Sequence, residues 1–268
     1  MNVAVQNFPI LTDLSDGILR ITLNDPNKRN ALSEAMLDGL HASLDAAKED
    51  RNVRVVILNA AGTVFSAGHN LQEMTAARDD SDGGREYFAR IMRLCSAMMQ
   101  KVVHLPKPVI AEVAGTATAA GCQLVASCDL AYAAPEAKFA TPGVNIGLFC
   151  STPMVALSRN VSNKRALEML LTGEAISADT AAQFGLINEV VAAKDLASHV
   201  NAVAFKIAAK SMKTVKIGKE AFYNQKQMTL ADAYDYCSDV MTENMMTSDA
   251  NEGIRAFLEK RTPDWTDE

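Results

Sequence analysis

Apolar positions along this chain follow two alternating rhythms. Ile18-Leu19-Arg20-Ile21-Thr22-Leu23 keeps the two-residue period of a strand, and Asn24-Asp25-Pro26-Asn27 follows it as a turn. Over residues 32–50 the period lengthens. Met36, Leu37, Leu40, Leu44 and Ala47 recur at helical spacing behind Ser33 and Glu34, which suit a helix start. Residues 53–58 are strand-like again. The same alternation returns with a strand over 108–113 before a helix over 118–127, and with a strand over 129–134 before the segment from Ser151. Strand-then-helix repetition predicts an α/β fold with mainly parallel strands. From about Asp195 the strands stop, and helical patterns run over 213–223, 230–246 and 252–259. The expected division is a core over residues 1–195 and a helical subdomain over 196–268. The Met and aromatic stripes of that subdomain pack either inward or on a neighbouring subunit.

Composition narrows the classes. With 268 residues and 49% hydrophobic content, the chain can bury a substantial core. Its net charge is −6 without a basic block, which argues against nucleic acid as a partner, because phosphates require clustered Lys and Arg. No apolar run approaches the roughly 20 residues that span a bilayer, so no membrane partner is expected. Met1-Asn2-Val3-Ala4-Val5-Gln6 lacks the basic-then-apolar layout of a secretory signal. Five cysteines, an odd count with no Cys-x-x-Cys pair, read as reduced thiols in a cytoplasmic protein. The four histidines, His41, His69, His104 and His199, are scattered, and no metal site is expected.

Two junctions carry the candidate chemistry: Phe65-Ser66-Ala67-Gly68-His69-Asn70-Leu71 and Ala117-Thr118-Ala119-Ala120-Gly121-Cys122-Gln123-Leu124. Each ends a strand-like run and opens a helix-like one. Asn70 has the spacing of an N-cap with Glu73 reaching back, which leaves the His69 amide just outside a helix start. At the second junction Thr118 can cap, while Ala119, Ala120 and Gly121 allow close approach to the backbone. Two converging amides can steady an enolate or a tetrahedral oxyanion. Two ordinary helix starts with small packing residues would have the same spacing.

Lys107-Pro108-Val109-Ile110-Ala111, Gly115, Gly121-Cys122-Gln123-Leu124 and Cys128-Asp129 together resemble the signature of the crotonase (enoyl-CoA hydratase/isomerase) family. Phe65-Ser66-Ala67-Gly68, Asn30-Ala31-Leu32, Leu171-Thr172-Gly173, Gly185-Leu186-Ile187 and Glu252-Gly253 fit the same family in the same order. The stretch from Phe139 to Asn145 and from Gly147 to Ser151 is similar to the subgroup of enoyl-CoA hydratase domain-containing proteins of the third type and their bacterial relatives. The resemblance implies a crotonase-like spiral of ββα units with a helical C-terminal trimerisation subdomain, as a homotrimer or a dimer of trimers. It implies an acyl-CoA substrate in fatty-acid or related metabolism, with coenzyme A as part of the substrate and no separate cofactor. The thioester oxygen would sit between the backbone amides of His69 and Ala120, with Gly68, Asn70 and Gly121 shaping that hole. Lys28 and Arg29 would meet the CoA phosphates and adenine, and the backbone of Ala31 and Ala67 would hold the adenine end. Phe257 and Lys260 would reach the CoA of an adjacent subunit.

One departure bears on activity. Hydratases of the family carry a glutamate after the Gly-Cys pair and another after the later proline, here Pro142. This chain has Gln123 and Gly143 at those positions. Adding water to an enoyl thioester needs a base for the water and an acid for the α-carbon. An enolate-stabilising thioester enzyme with doubtful hydratase rate is therefore expected, with a catalytically weak acyl-CoA-binding protein as the alternative. RNA binding is set aside, because the helix around Lys48-Glu49-Asp50-Arg51 carries no lysine comb. The His69 ring, Gln123 and the thiol of Cys150 are the candidates for substitute chemistry. Met74, Tyr87, Phe88, Met98 and Met99 either line an acyl-tail pocket or belong to the core. Glu112, inside an apolar strand, reads as a paired structural carboxylate.

Overall fold

A computed structural model describes residues 9–268; the stretch Met1-Asn2-Val3-Ala4-Val5-Gln6 lies outside the described residues. Strands β1 (Ile10–Ser15) and β2 (Ile18–Leu23) form a hairpin. Its two turn residues, Asp16 and Gly17, both have positive φ (51° and 79°), as the tight turns that match strand twist require. Helix α1 (Glu34–Glu49) follows, capped by Ser33, whose hydroxyl accepts from the Met36 amide. It buries Met36, Leu37, Leu40 and Leu44 completely, each worth about 1.5–3 kcal/mol relative to exposure.

The chain then winds in repeated turns. The first comprises β3 (Val55–Ala60), β4 (Val64–Ser66), α2 (Leu71–Ala76) and α3 (Arg85–His104). The second comprises β5 (Val109–Val113), β6 (Thr116–Thr118) and α4 (Ala120–Ser127). The third comprises β7 (Leu130–Ala133), β8 (Lys138–Ala140), α5 (Ser151–Leu157) and α6 (Asn163–Thr172). Then come β9 (Ile176–Ser177), α7 (Ala178–Phe184) and β10 (Glu189–Val190). Each turn adds one strand to a six-stranded sheet, ordered β1-β2-β3-β5-β7-β10, and one to a four-stranded sheet, ordered β4-β6-β8-β9. Apart from the β1–β2 and β8–β9 pairs, the strands run parallel. This is the α/β spiral of ββα units. The main apolar core fills the space between the two sheets and α1, α3 and α4.

Helices α8 (Leu196–Ala208), α9 (Met212–Gln225), α10 (Leu230–Met245) and α11 (Ser248–Glu259) complete the chain. Leu196, Val200, Ala204 and Ala208 of α8 pack on Ile18, Val55, Ile57 and Ile110 of the large sheet. Large apolar side chains on α10 and α11 stay exposed, among them Leu230, Tyr234, Met246, Phe257 and Leu258. Two polar ties fasten this region and the sheet. Lys219 on α9 meets Asp129 at 2.7 Å while the Tyr223 hydroxyl donates to the other carboxylate oxygen at 2.9 Å. Glu112 pairs with Arg20 at 2.9 Å, and Arg20 also reaches Asn201 on α8. Its role is the structural pairing expected.

Candidate functional site

Strands β4 and β6 are parallel neighbours with Ser66 opposite Ala117, so the chain leaves both at the same edge of the small sheet. That alone brings the two junctions together. Contact is close: a Cβ at Gly68 would lie 2.9 Å from the Ala119 Cβ and 3.2 Å from the Ala120 nitrogen. A Cβ at Gly121 would lie 2.3 Å from the Ser66 carbonyl oxygen. Neither glycine can carry a side chain without separating the two segments.

The first junction is held from a third segment. Asn30, fully buried, donates to the carbonyls of Ala61 and Val64 at 2.9 and 2.7 Å and accepts from the Asp25 amide at 2.8 Å. The Ala67 amide donates to the Arg29 carbonyl (3.1 Å), and the Leu32 amide donates to Gly68 (2.7 Å). Ala31 is therefore buried behind Gly68, while Lys28 and Arg29 stay exposed on a short turn, with Lys28 3.9 Å from Asp25. Asn70 caps α2 as expected, accepting from Gln72 and Glu73. The expected return contact differs. Glu73 accepts from the Asn70 side-chain amide at 3.0 Å and from the Glu34 backbone at 3.1 Å, so it bridges α2 to α1.

The second junction departs from expectation at Thr118, which belongs to β6 and caps nothing. The cap position of α4 is Ala119, at φ 51° and ψ −119° with no capping side chain. A non-glycine residue there costs about 1–3 kcal/mol and persists only where its surroundings enforce it. Here the Ala119 amide donates to the Ala140 carbonyl at 2.9 Å, which fixes the kink. The kink directs the next amide, that of Ala120, away from the sheet ladder. Among the described residues, the amides of His69 and Ala120 donate to no backbone carbonyl. A helix N-terminus adds its positive dipole end at Ala120.

Among the described residues, buried polar atoms of three side chains around these junctions lack hydrogen-bond partners: both ring nitrogens of His69, Oε1 of Gln123 and the Thr141 hydroxyl. Burial holds the His69 pKa below its usual value of 6.5, opposed by the backbone of Leu32, so the ring is neutral at pH 7. Gln123 is only 5% exposed and borders a cavity of about 640 Å3 between α3, α4, α5 and α9. Met99 of α3 shares that cavity, whereas Met98 belongs wholly to the core. Gly143, in the short 3-10 turn Pro142–Ile146, is closed off. A Cβ there would meet the Leu148 carbonyl oxygen at 2.8 Å and the Cys150 sulfur at 2.9 Å. Burial raises the Cys150 pKa, and among the described residues no hydrogen bond from a basic side chain reaches it to favour a thiolate. Phe257, 82% exposed, and Lys260 lie on α11 and its cap, which pack mainly on α9 and α10 rather than on either junction. No group of three or more potential metal ligands occurs among the described residues.

Sequence reasoning finds both junctions, Gln123 and Gly143, but not the strained backbone of Ala119 or the buried hydroxyl of Thr141. An alanine in a glycine-like conformation leaves no trace in composition, and a threonine before proline reads as an ordinary turn residue.

A family model described as Enoyl-CoA hydratase/isomerase matches residues 13–268. The enoyl-CoA hydratase domain-containing protein 3, mitochondrial, of Xenopus laevis is 50% identical over 250 residues, covering 93% of this chain and 83% of that protein. The Homo sapiens protein of the same name is 48% identical over 253 residues, covering 94% and 82%. A crystal structure of an enoyl-CoA hydratase from Mycobacterium smegmatis aligns with TM-score 0.92 at 49% identity, over 97% of this chain and 99% of that one. That of human enoyl Coenzyme A hydratase domain-containing protein 3 gives 0.92 at 47% identity, over 96% and 100%. The names of the vertebrate relatives, mitochondrial in each case, overturn the cytoplasmic placement expected from cysteine usage. Reduced thiols are no guide to compartment here, because buried cysteines stay inert wherever the protein resides.

Proposed function

Because this chain belongs to the enoyl-CoA hydratase/isomerase (crotonase) family, and within it to the type of enoyl-CoA hydratase domain-containing protein 3, we propose that it holds an acyl-CoA thioester and steadies its enolate. One observation carries the reading. Two backbone N–H groups, at His69 and Ala120, are presented by abutting segments and, among the described residues, claimed by no backbone acceptor. Backbone donors need no side chain, so the loss of the family's glutamates leaves them in place. Removing one such donor from a working oxyanion site costs about 2.7–4 kcal/mol.

Proton transfer is the weak part of this site. Gln123 cannot exchange a proton near neutral pH, and the place of the second carboxylate is filled by the segment at Leu148 and Cys150. The neutral His69 ring is the remaining group that could accept a proton there. Hydration of enoyl-CoA is thus slow in our reading, and the filled position at Gly143 favours a second one, a thioester-binding protein with little turnover. The exposed Lys28 and Arg29 suit the CoA phosphates, and the backbone of Ala31 and Ala67 suits the adenine end. The exposed apolar face of α10 and α11 supports a homotrimer or a dimer of trimers, in which Phe257 and Lys260 approach a neighbour's ligand. Isothermal titration with crotonyl-CoA, followed by an ultraviolet hydration assay, tests this directly. Binding with hydration far below that of a two-glutamate relative is expected, and absence of binding would overturn the reading.

A further inference from the structure

The cavity beside Gln123 has a composition that specifies more than an acyl tail. Its inner end begins on α4, one helical turn from Ala120, where the buried Gln123 Oε1 stands without a partner. Apolar side chains of Met99, Val103 and Val155 line it beside the polar Ser96, Gln100 and Ser127. Its rim carries Arg159, Lys226 and His104, at the C-terminal ends of α5, α9 and α3. Among the described residues no Asp or Glu lines it, although the chain holds 32 acidic residues against 26 basic ones.

The two rim cations are brought together. Lys226 Nζ donates to the Arg159 carbonyl at 3.4 Å, and Arg159 Nη1 folds back on the Val155 carbonyl at 2.9 Å. A guanidinium has five N–H donors, and among the described residues only this one contact occupies them. Helix-end carbonyls explain why cations sit here, but not why acids are absent from the whole lining. From Thr152 to the end of α5 at Leu157 the wall rises about 7.5 Å at the helical pitch, and Arg159 lies on the turn that follows, a span that suits a chain of medium length.

We propose that this cavity takes an acyl chain ending in a carboxylate, so that the substrate is the mono-CoA thioester of a medium-chain dicarboxylic acid. The proposal rests on the thioester reading above and narrows it. The thioester carbonyl lies at the start of α4, the methylenes cross the apolar wall, and the terminal carboxylate meets Arg159 and Lys226. Both cations are partly in water, so their joint effect is modest, about fivefold to tenfold in affinity at low salt, and shrinks as salt is added.

Titration calorimetry with two thioesters of equal chain length, octanoyl-CoA and the mono-CoA ester of octanedioic acid, tests it. The intact protein is expected to bind the carboxylate-ended ester more tightly by about that factor. In the Arg159→Gln/Lys226→Gln variant, the two esters are expected to bind alike. Equal binding by the intact protein, or a preference for octanoyl-CoA, would overturn this proposal and leave the thioester reading standing. A preference that survives in the variant would overturn the assignment to these cations. Failure of both esters to bind would overturn the thioester reading and this proposal with it.

Discussion

Gly68→Ala is the perturbation that acts most locally on the paired junctions. Gly68 has φ +86°, so an alanine there pays for a left-handed backbone, about 1–2 kcal/mol. Its new methyl would also stand 2.9 Å from the Ala119 Cβ, 3.1 Å from the Thr118 carbonyl oxygen and 3.2 Å from the Ala120 nitrogen. None of these atoms is the end of a flexible side chain, so relief requires the two segments to part, an overpacking cost of about 1–3 kcal/mol. Gly185→Ala supplies the control. Its φ is +82°, but the nearest atom to its Cβ is the Asn160 carbonyl oxygen at 3.4 Å, an ordinary contact. Urea unfolding, read as a midpoint shift at constant m, is expected to show Gly68→Ala less stable than Gly185→Ala by about 1–3 kcal/mol. Parting the junctions also weakens one hydrogen bond to a held carbonyl, so acyl-CoA affinity is expected to fall roughly fivefold in Gly68→Ala alone. Equal stability of the two variants, with unchanged binding, would refute the claim that the junctions are pressed together around a shared site.

Three further outcomes follow from the same geometry. Gln123→Glu alone is expected to raise crotonyl-CoA hydration in an ultraviolet assay, whereas adding Gly143→Glu is expected to lower the unfolding midpoint, because the new Cβ meets Leu148 and Cys150 below 3 Å. Lys219→Met leaves the Asp129 carboxylate half-paired under α9, and denaturant titration should show a loss of about 3–5 kcal/mol; a loss below 1 kcal/mol would mean that water replaces the ammonium. The depressed His69 pKa means that the unfolded chain binds more protons than the folded one between the folded value and 6.5. Stability should therefore rise with pH through that window and level off above it, and His69→Gln should flatten the rise in unfolding curves taken across mildly acidic pH.

The long elements are legible in the sequence because each buries one face at a regular period, as Met36, Leu37, Leu40 and Leu44 do in α1. The strands of the small sheet are not: β4, β6 and β8 have three residues each, too few to show a period, and they are defined by pairing with distant strands. That is why Thr118 reads as a helix cap when it is a strand residue. Both junctions are legible from their small residues, but their meeting is not, since it depends on β4 and β6 being neighbours. The direction of Glu112 is set by Arg20, 92 residues away in sequence, and no local pattern encodes it. Likewise the absence of a glutamate at Gly143 is plain in the sequence, while the filling of its place by the turn at Leu148 and Cys150 belongs to the tertiary structure.

Infrared difference spectroscopy on a bound acyl-CoA carrying a 13C-labelled thioester carbonyl reads the polarisation of that bond inside the site. Two backbone donors at His69 and Ala120 should shift its stretch to lower frequency than in water, and Gly68→Ala should return part of the shift. A bound thioester whose carbonyl absorbs as it does in solution would contradict the assignment.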